Sequence, residues 1–162
     1  MKCLWKFTRP ELGKGVHKMS AKVLLLSVHT VYAEKLLNGT KRVELRRIKP
    51  NINVGDIVVL YFSSPVQEIR GTLKVEKVIG KPLTSLWANV RNDAGISKRE
   101  FDDYYSGTDS GYGIYLNSPK HIRNPISLNE LRTKWARFHP PQSYRYLSAA
   151  ELNKVKAVGR NL

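Results

Sequence analysis

Two apolar runs of strand length limit what this chain can become. Residues 22–28 and 57–62 are almost unbroken in Val, Leu, Ile, Tyr and Phe. A strand exposed on one face alternates apolar with polar residues, whereas an unbroken run needs cover on both faces. Both runs therefore read as buried strands. Between them, Val31, Tyr32, Lys35 and Leu36 recur with helical period, which predicts a helix over residues 31–38 with Thr30 as its N-cap. It stops at Asn38-Gly39, where glycine suits the left-handed turn after a helix.

The stretch after that stop is densely charged and mostly cationic. Lys41, Arg42, Val43, Glu44, Leu45, Arg46 and Arg47 hold four cations and one carboxylate. As a strand it would send Val43 and Leu45 inward and set Arg42, Glu44 and Arg46 on the opposite face. Glu44 would then lie between two guanidinium groups and fix their orientation, leaving spare N–H donors for a ligand. A solvated strand face with an ordinary ion pair is the plainer alternative.

Further along, residues 69–79 read as a long strand, with Gly71 marking a bulge or a close backbone approach. Residues 82–90 read as a short helix with Leu83, Leu86 and Trp87 on one face. Ser97 with Glu100, and Ser127 with Glu130, form capping-box patterns that start two more helices. Phe101, Tyr104 and Tyr105 are expected to pack inward. A loop over 107–113 leads to a strand over 112–116, and residues 135–147 are proline-broken, aromatic and basic. A helix over 149–158 and a basic tail end the chain. Four or five strands with short helices fit an α+β fold, a small mixed β-barrel with helices at its ends.

The 162 residues carry 28 Lys and Arg against 13 Asp and Glu, a net charge of +15. The excess is +4 in residues 1–20, +4 in 21–116 and +7 in the last 46 residues. A basic surface interleaved with aromatics is the footprint of a nucleic-acid binder. No apolar run reaches the ~18–20 residues of a membrane helix. Residues 1–19 read as a basic flexible leader, or as a start upstream of Met19, with no apolar core of a signal peptide. A single cysteine, Cys3, and four scattered histidines give no disulfide, no metal-type spacing and no cofactor signature. A cytoplasmic protein that partners nucleic acid is the expectation.

The pattern G-x-K-x-x-E-x-R, filled by Gly39, Lys41, Glu44 and Arg46, resembles the ASCH domain of the PUA-like superfamily. Residues 55–65 and 138–147 extend the resemblance, which covers roughly residues 20–147. It implies a PUA-like barrel with a ligand cleft beside the first helix, recognising a nucleotide or modified base of RNA, with a regulatory role such as transcriptional control. Lys41 would meet phosphate or a base edge, Glu44 would accept from an exocyclic amine or anchor the arginines, and Arg46 would donate in pairs, with Arg42 beside them. Ser63 and Ser64 would add hydroxyls. Gln142, Ser143 and Tyr144, with Arg145 and Tyr146, would form a second wall that stacks and hydrogen-bonds.

Enzymes also occur among proteins of this kind. Some ASCH relatives resemble amidohydrolases of acetylated cytidine, using a lysine, a threonine and a glutamate, and others are associated with ribonuclease activity. Lys41 matches the lysine and Glu100 the glutamate, but Glu44 stands where the threonine belongs. A carboxylate there is expected to raise the lysine's pKa and weaken it as a nucleophile or base.

Overall fold

The structure, a computed structural model, describes residues 21–159. The predicted basic leader and the last three residues of the tail lie outside the described residues. Both apolar runs are strands, β1 (Val23–Val28) and β3 (Ile57–Phe62), paired in parallel from Val23 opposite Ile57 to Val28 opposite Phe62. Parallel neighbours need a crossover, supplied here by α1 (Thr30–Leu37), β2 (Val43–Arg46) and the loop behind it.

Burial explains the unbroken runs. Leu24 and Leu26 of β1 join Val58 and Leu60 of β3 beneath Ala33, Leu36 and Leu37 of α1. Val23 and Leu25, with Val59 and Tyr61, face the other way, where α4 (Leu128–Lys134) and α5 (Ala149–Val158) bring Leu131 and Val155. Leu24, Leu25 and Leu26 are all fully buried, and each such side chain contributes roughly 1.5–3 kcal/mol of hydrophobic stabilisation. A third cluster sits where α2 (Leu83–Val90) and α3 (Lys98–Tyr104) cover β2. It joins Val43 and Leu45 to Leu86, Val90, Phe101 and Tyr105.

The sheet has six strands in the order β2-β5-β4-β3-β1-β6, and it does not close into the expected barrel. Its end strands are only four residues long, β2 and β6 (Tyr144–Leu147). The outer side of β2 is already engaged: the Asp93 carbonyl accepts from the Arg42 amide at 2.7 Å and the Val43 amide at 3.2 Å. A side chain crosses the seam instead of a ladder. Arg46 at the end of β2 donates to Ser143 Oγ at 2.9 Å and to the Ser27 carbonyl at 3.3 Å.

Other expectations are met or corrected locally. The two predicted capping boxes at Ser97 and Ser127 are present, and Ser148 with Glu151 forms a third. Gly71 is a close approach, since a Cβ there would lie 2.5 Å from Leu37 Cδ2 and 2.7 Å from the Lys120 carbonyl oxygen. The N-cap of α1 is His29, and Thr30 is already helical, its hydroxyl donating to the Ser63 carbonyl at 3.4 Å. Strand β5 (Ser110–Ser127) runs far beyond the expected 112–116 because β4 (Glu68–Pro82) pairs with it almost end to end. Tyr104 is 37% exposed, turned out of the core that holds Phe101 and Tyr105.

Candidate nucleic-acid interface

Gly39, at φ +81°, reverses the chain after α1, and the Lys41 amide bonds back to the Lys35 carbonyl at 2.9 Å. Lys41 is thereby laid beneath the helix, only 3% exposed. The loop before α3 closes over it. Gly95, at φ +64°, packs against the Lys41 stem, and a Cβ there would stand 3.0 Å from Lys41 Cβ. Three successive carbonyls of this loop are engaged from one side. Asp93 takes the Arg42 and Val43 amides, Ala94 takes Lys41 Nζ at 2.7 Å, and Gly95 takes Lys35 Nζ at 2.8 Å.

A cleft of about 150 Å³ opens above Lys41, lined by Tyr32, Lys41, Glu44, Leu45, Ile96, Glu100 and Tyr104. Lys41 Nζ lies 3.6 Å from Glu44 Oε2 and 5.8 Å from the centre of the Tyr32 ring. Burial pushes the Lys41 ammonium below the ordinary lysine range, and the Glu44 carboxylate restores only part of the loss. The expected rise at Lys41 is therefore reversed, because desolvation outweighs the neighbouring charge.

Glu100 ties α3 to α1. Tyr32 donates its hydroxyl to Glu100 Oε1 at 2.7 Å, while the amide and hydroxyl of Ser97 donate to Oε2 at 2.7 and 2.8 Å. The Ser97 amide, then Tyr32 and the Ser97 hydroxyl, hold this exposed carboxyl down at about 2. The same bond raises the Tyr32 phenol.

Only part of the predicted set gathers here. Glu44, 8% exposed, is held by Arg46 Nη2 at 2.8 Å and by Lys41, not by two arginines. Arg42 points outward to Glu76 at 3.4 Å. Arg46 spends its donors on Glu44, Ser27 and Ser143, its Nε is buried without a partner, and it does not line the cleft. Ser143 is therefore an acceptor for Arg46, its own carbonyl taking the Ser27 amide at 2.9 Å. Tyr144 packs partly buried on the first core cluster, edge-on to Tyr146 at 5.9 Å, and Gln142 lies exposed before β6.

Ser63 and Ser64 belong to the turn after β3, before a cis bond to Pro65, and neither lines the cleft. Sequence reasoning missed Tyr32, Ile96 and Tyr104 as cleft walls, and the Asp93-Ala94-Gly95 carbonyls. The turn chemistry of Asp93 and Gly95 was the one available signal. Among the described residues no group of three metal-ligating side chains occurs, and no helix is long and apolar enough to cross a membrane.

Comparison with known proteins gives this chain relatives. An ASCH domain-containing ribonuclease from Zymomonas mobilis is 29% identical over 134 residues, 83% of this chain and 90% of that protein. The crystal structure of ASCH from the same organism aligns with a TM-score of 0.79 at 29% identity, over 84% of this chain and 94% of that one. The human THYN1 protein, crystallised with DNA containing 5-methylcytosine, shares the fold, with a TM-score of 0.55 at 13% identity over 88% and 99% of the two chains. Residues 26–140 match the ASCH domain, and the chain belongs to the ASCH domain family.

Proposed function

We propose that this protein binds single-stranded RNA in the cleft over Lys41 and cleaves its backbone there. The observation that carries the reading is a lysine 3% exposed whose ammonium opens into a cleft walled by Tyr32 and Tyr104. Buried and fixed by the Ala94 carbonyl, it is a preorganised cation in a low-dielectric setting, where charge stabilisation is strongest. Aromatic walls suit an unstacked base. The likeness to a protein named as a ribonuclease, over nine-tenths of that protein's length, supports the same reading.

In this scheme a ribose 2′-oxygen attacks the adjacent phosphorus and the bond to the 5′-oxygen breaks. The 2′-hydroxyl proton leaves, a proton reaches the departing 5′-oxygen, and the products are a 2′,3′-cyclic phosphate and a free 5′-hydroxyl. Lys41 faces the charge that gathers on the phosphate oxygens. End-labelled RNA incubated with wild type is expected to yield cyclic-phosphate ends, with Lys41→Ala slower by about 100-fold or more. Absence of product, or full activity in Lys41→Ala, overturns the assignment.

One observation favours a second reading. Lys41 and Glu100, the pair expected of an amidohydrolase of acetylated cytidine, line the same cleft. Glu44 still replaces the threonine of that pattern, and both oxygens of Glu100 are engaged by Tyr32 and Ser97. Release of acetate from acetylated cytidine, followed by mass spectrometry, decides between the two.

A further inference from the structure

The end of β2 opens onto a second hollow of about 460 Å³, lined among others by Lys49, Gly80, Lys81, Ser110 and Tyr112. No carboxylate lines it, and among the described residues neither lysine has a carboxylate within ion-pair distance. The half-buried Tyr112 ring lies against Gly80, where a Cβ would stand 2.6 Å and 2.8 Å from its carbons Cε1 and Cδ1. Glycine at that position lets an aromatic ring lie over the strand.

A short stretch of chain links this hollow to the cleft. Tyr104, a cleft wall, accepts at its carbonyl from Nε (2.7 Å) and Nη2 of Arg47, whose guanidinium sits 5.2 Å from the centre of the Tyr104 ring. Arg47 is thus clamped against a cleft wall, two residues before Lys49 in the chain. Leu45 lines the cleft and Lys49 lines the hollow, and four residues span at most about 14 Å. Cations thus recur at Lys41, Arg47 and Lys49, with Lys81 across the hollow, and a tyrosine accompanies each: Tyr32, Tyr104 and Tyr112.

We infer that the hollow is a second nucleotide subsite, in which a base of single-stranded RNA stacks on Tyr112 while its phosphates meet Lys49 and Lys81, with Arg47 guiding the strand from the cleft. An aromatic platform flanked by ammonium groups is how single strands are held without base-edge readout. The inference rests on the RNA reading of the cleft and adds the course of the bound strand and a length preference.

Fluorescein-labelled 2′-O-methyl oligouridylates, which lack the attacking hydroxyl, test it by anisotropy as a dimer and an octamer at two salt concentrations. Wild type is expected to bind the octamer more tightly than the dimer. The double variant Lys49→Ala/Lys81→Ala should keep its dimer affinity and lose at least about tenfold on the octamer. Its octamer salt slope should fall by about 1.4, the contribution of two single-strand phosphates. Tyr112→Leu should weaken the octamer by about 5- to 150-fold with an unchanged salt slope. If Lys41→Ala abolishes binding but the lysine double variant leaves the octamer untouched, the cleft reading stands and the subsite is overturned. Wild type that binds neither length overturns both.

Discussion

A buried ammonium needs somewhere to place its charge, and Lys41 has one carbonyl at hydrogen-bond distance and one carboxylate at ion-pair distance. That partial satisfaction leaves it below the ordinary lysine range and facing the cleft. If Lys41 works as a cation, activity must fall as pH rises through its lowered pKa, earlier than an ordinary lysine near 10.5 would allow. Glu44→Gln removes the group that holds the proton on, so the alkaline limb of a pH–rate profile is expected to move to lower pH. Stability carries the opposite sign. The unfolded lysine binds its proton up to higher pH than the folded one, so Lys41 opposes folding below its lowered pKa and less so as pH rises. Arg46 serves a different purpose, since two of its three hydrogen bonds join β2 to β1 and to the segment before β6, and the third holds Glu44. Arg46→Lys cannot reproduce that fork. It should lower stability by about 2 kcal/mol or more, read as a shifted urea midpoint at unchanged slope.

At the scale of elements, the helices were legible because their signals are local. Ser97 with Glu100, and Ser127 with Glu130, lie three residues apart, and each start appears in the structure as read from the chain. The buried strands were legible for the same reason. Strand β6 was not, because Tyr-Arg-Tyr-Leu follows a Pro-Pro pair and pairs only through distant β1. The cleft was half legible. Lys41 and Glu44 stand out in the sequence, but Ala94 lies 53 residues from Lys41 and Tyr32 lies 68 from Glu100, so no periodicity could join them. Glu100 is also testable as a cap. Its folded pKa of about 2 lies below the ordinary 4.5, so its stabilisation is complete above 4.5 and fades as pH falls toward 2. The melting-temperature difference between wild type and Glu100→Gln is expected to shrink over that interval.

Across the whole molecule, the sheet divides two tasks. The α1 face and β2 build the cleft, while α4 and α5 seal the other face with Leu131, 1% exposed, and Val155, fully buried. Leu131→Ala should cost about 2–5 kcal/mol of stability yet leave RNA affinity per folded molecule unchanged, measured by denaturation and anisotropy on the same sample. Most carboxylates among the described residues are occupied by the protein itself. Glu100, Glu130 and Glu151 cap helices, Asp56 accepts the backbone amides of Lys22 and Asn53, and Glu44, Glu68 and Glu76 each hold an arginine. The carboxylates, paired or exposed, still leave a net +15 that mobile anions from solution must neutralise. A docking polyanion would displace that atmosphere. Association should therefore be driven largely by the mixing entropy of the liberated ions, and calorimetry should find it only weakly exothermic in dilute buffer.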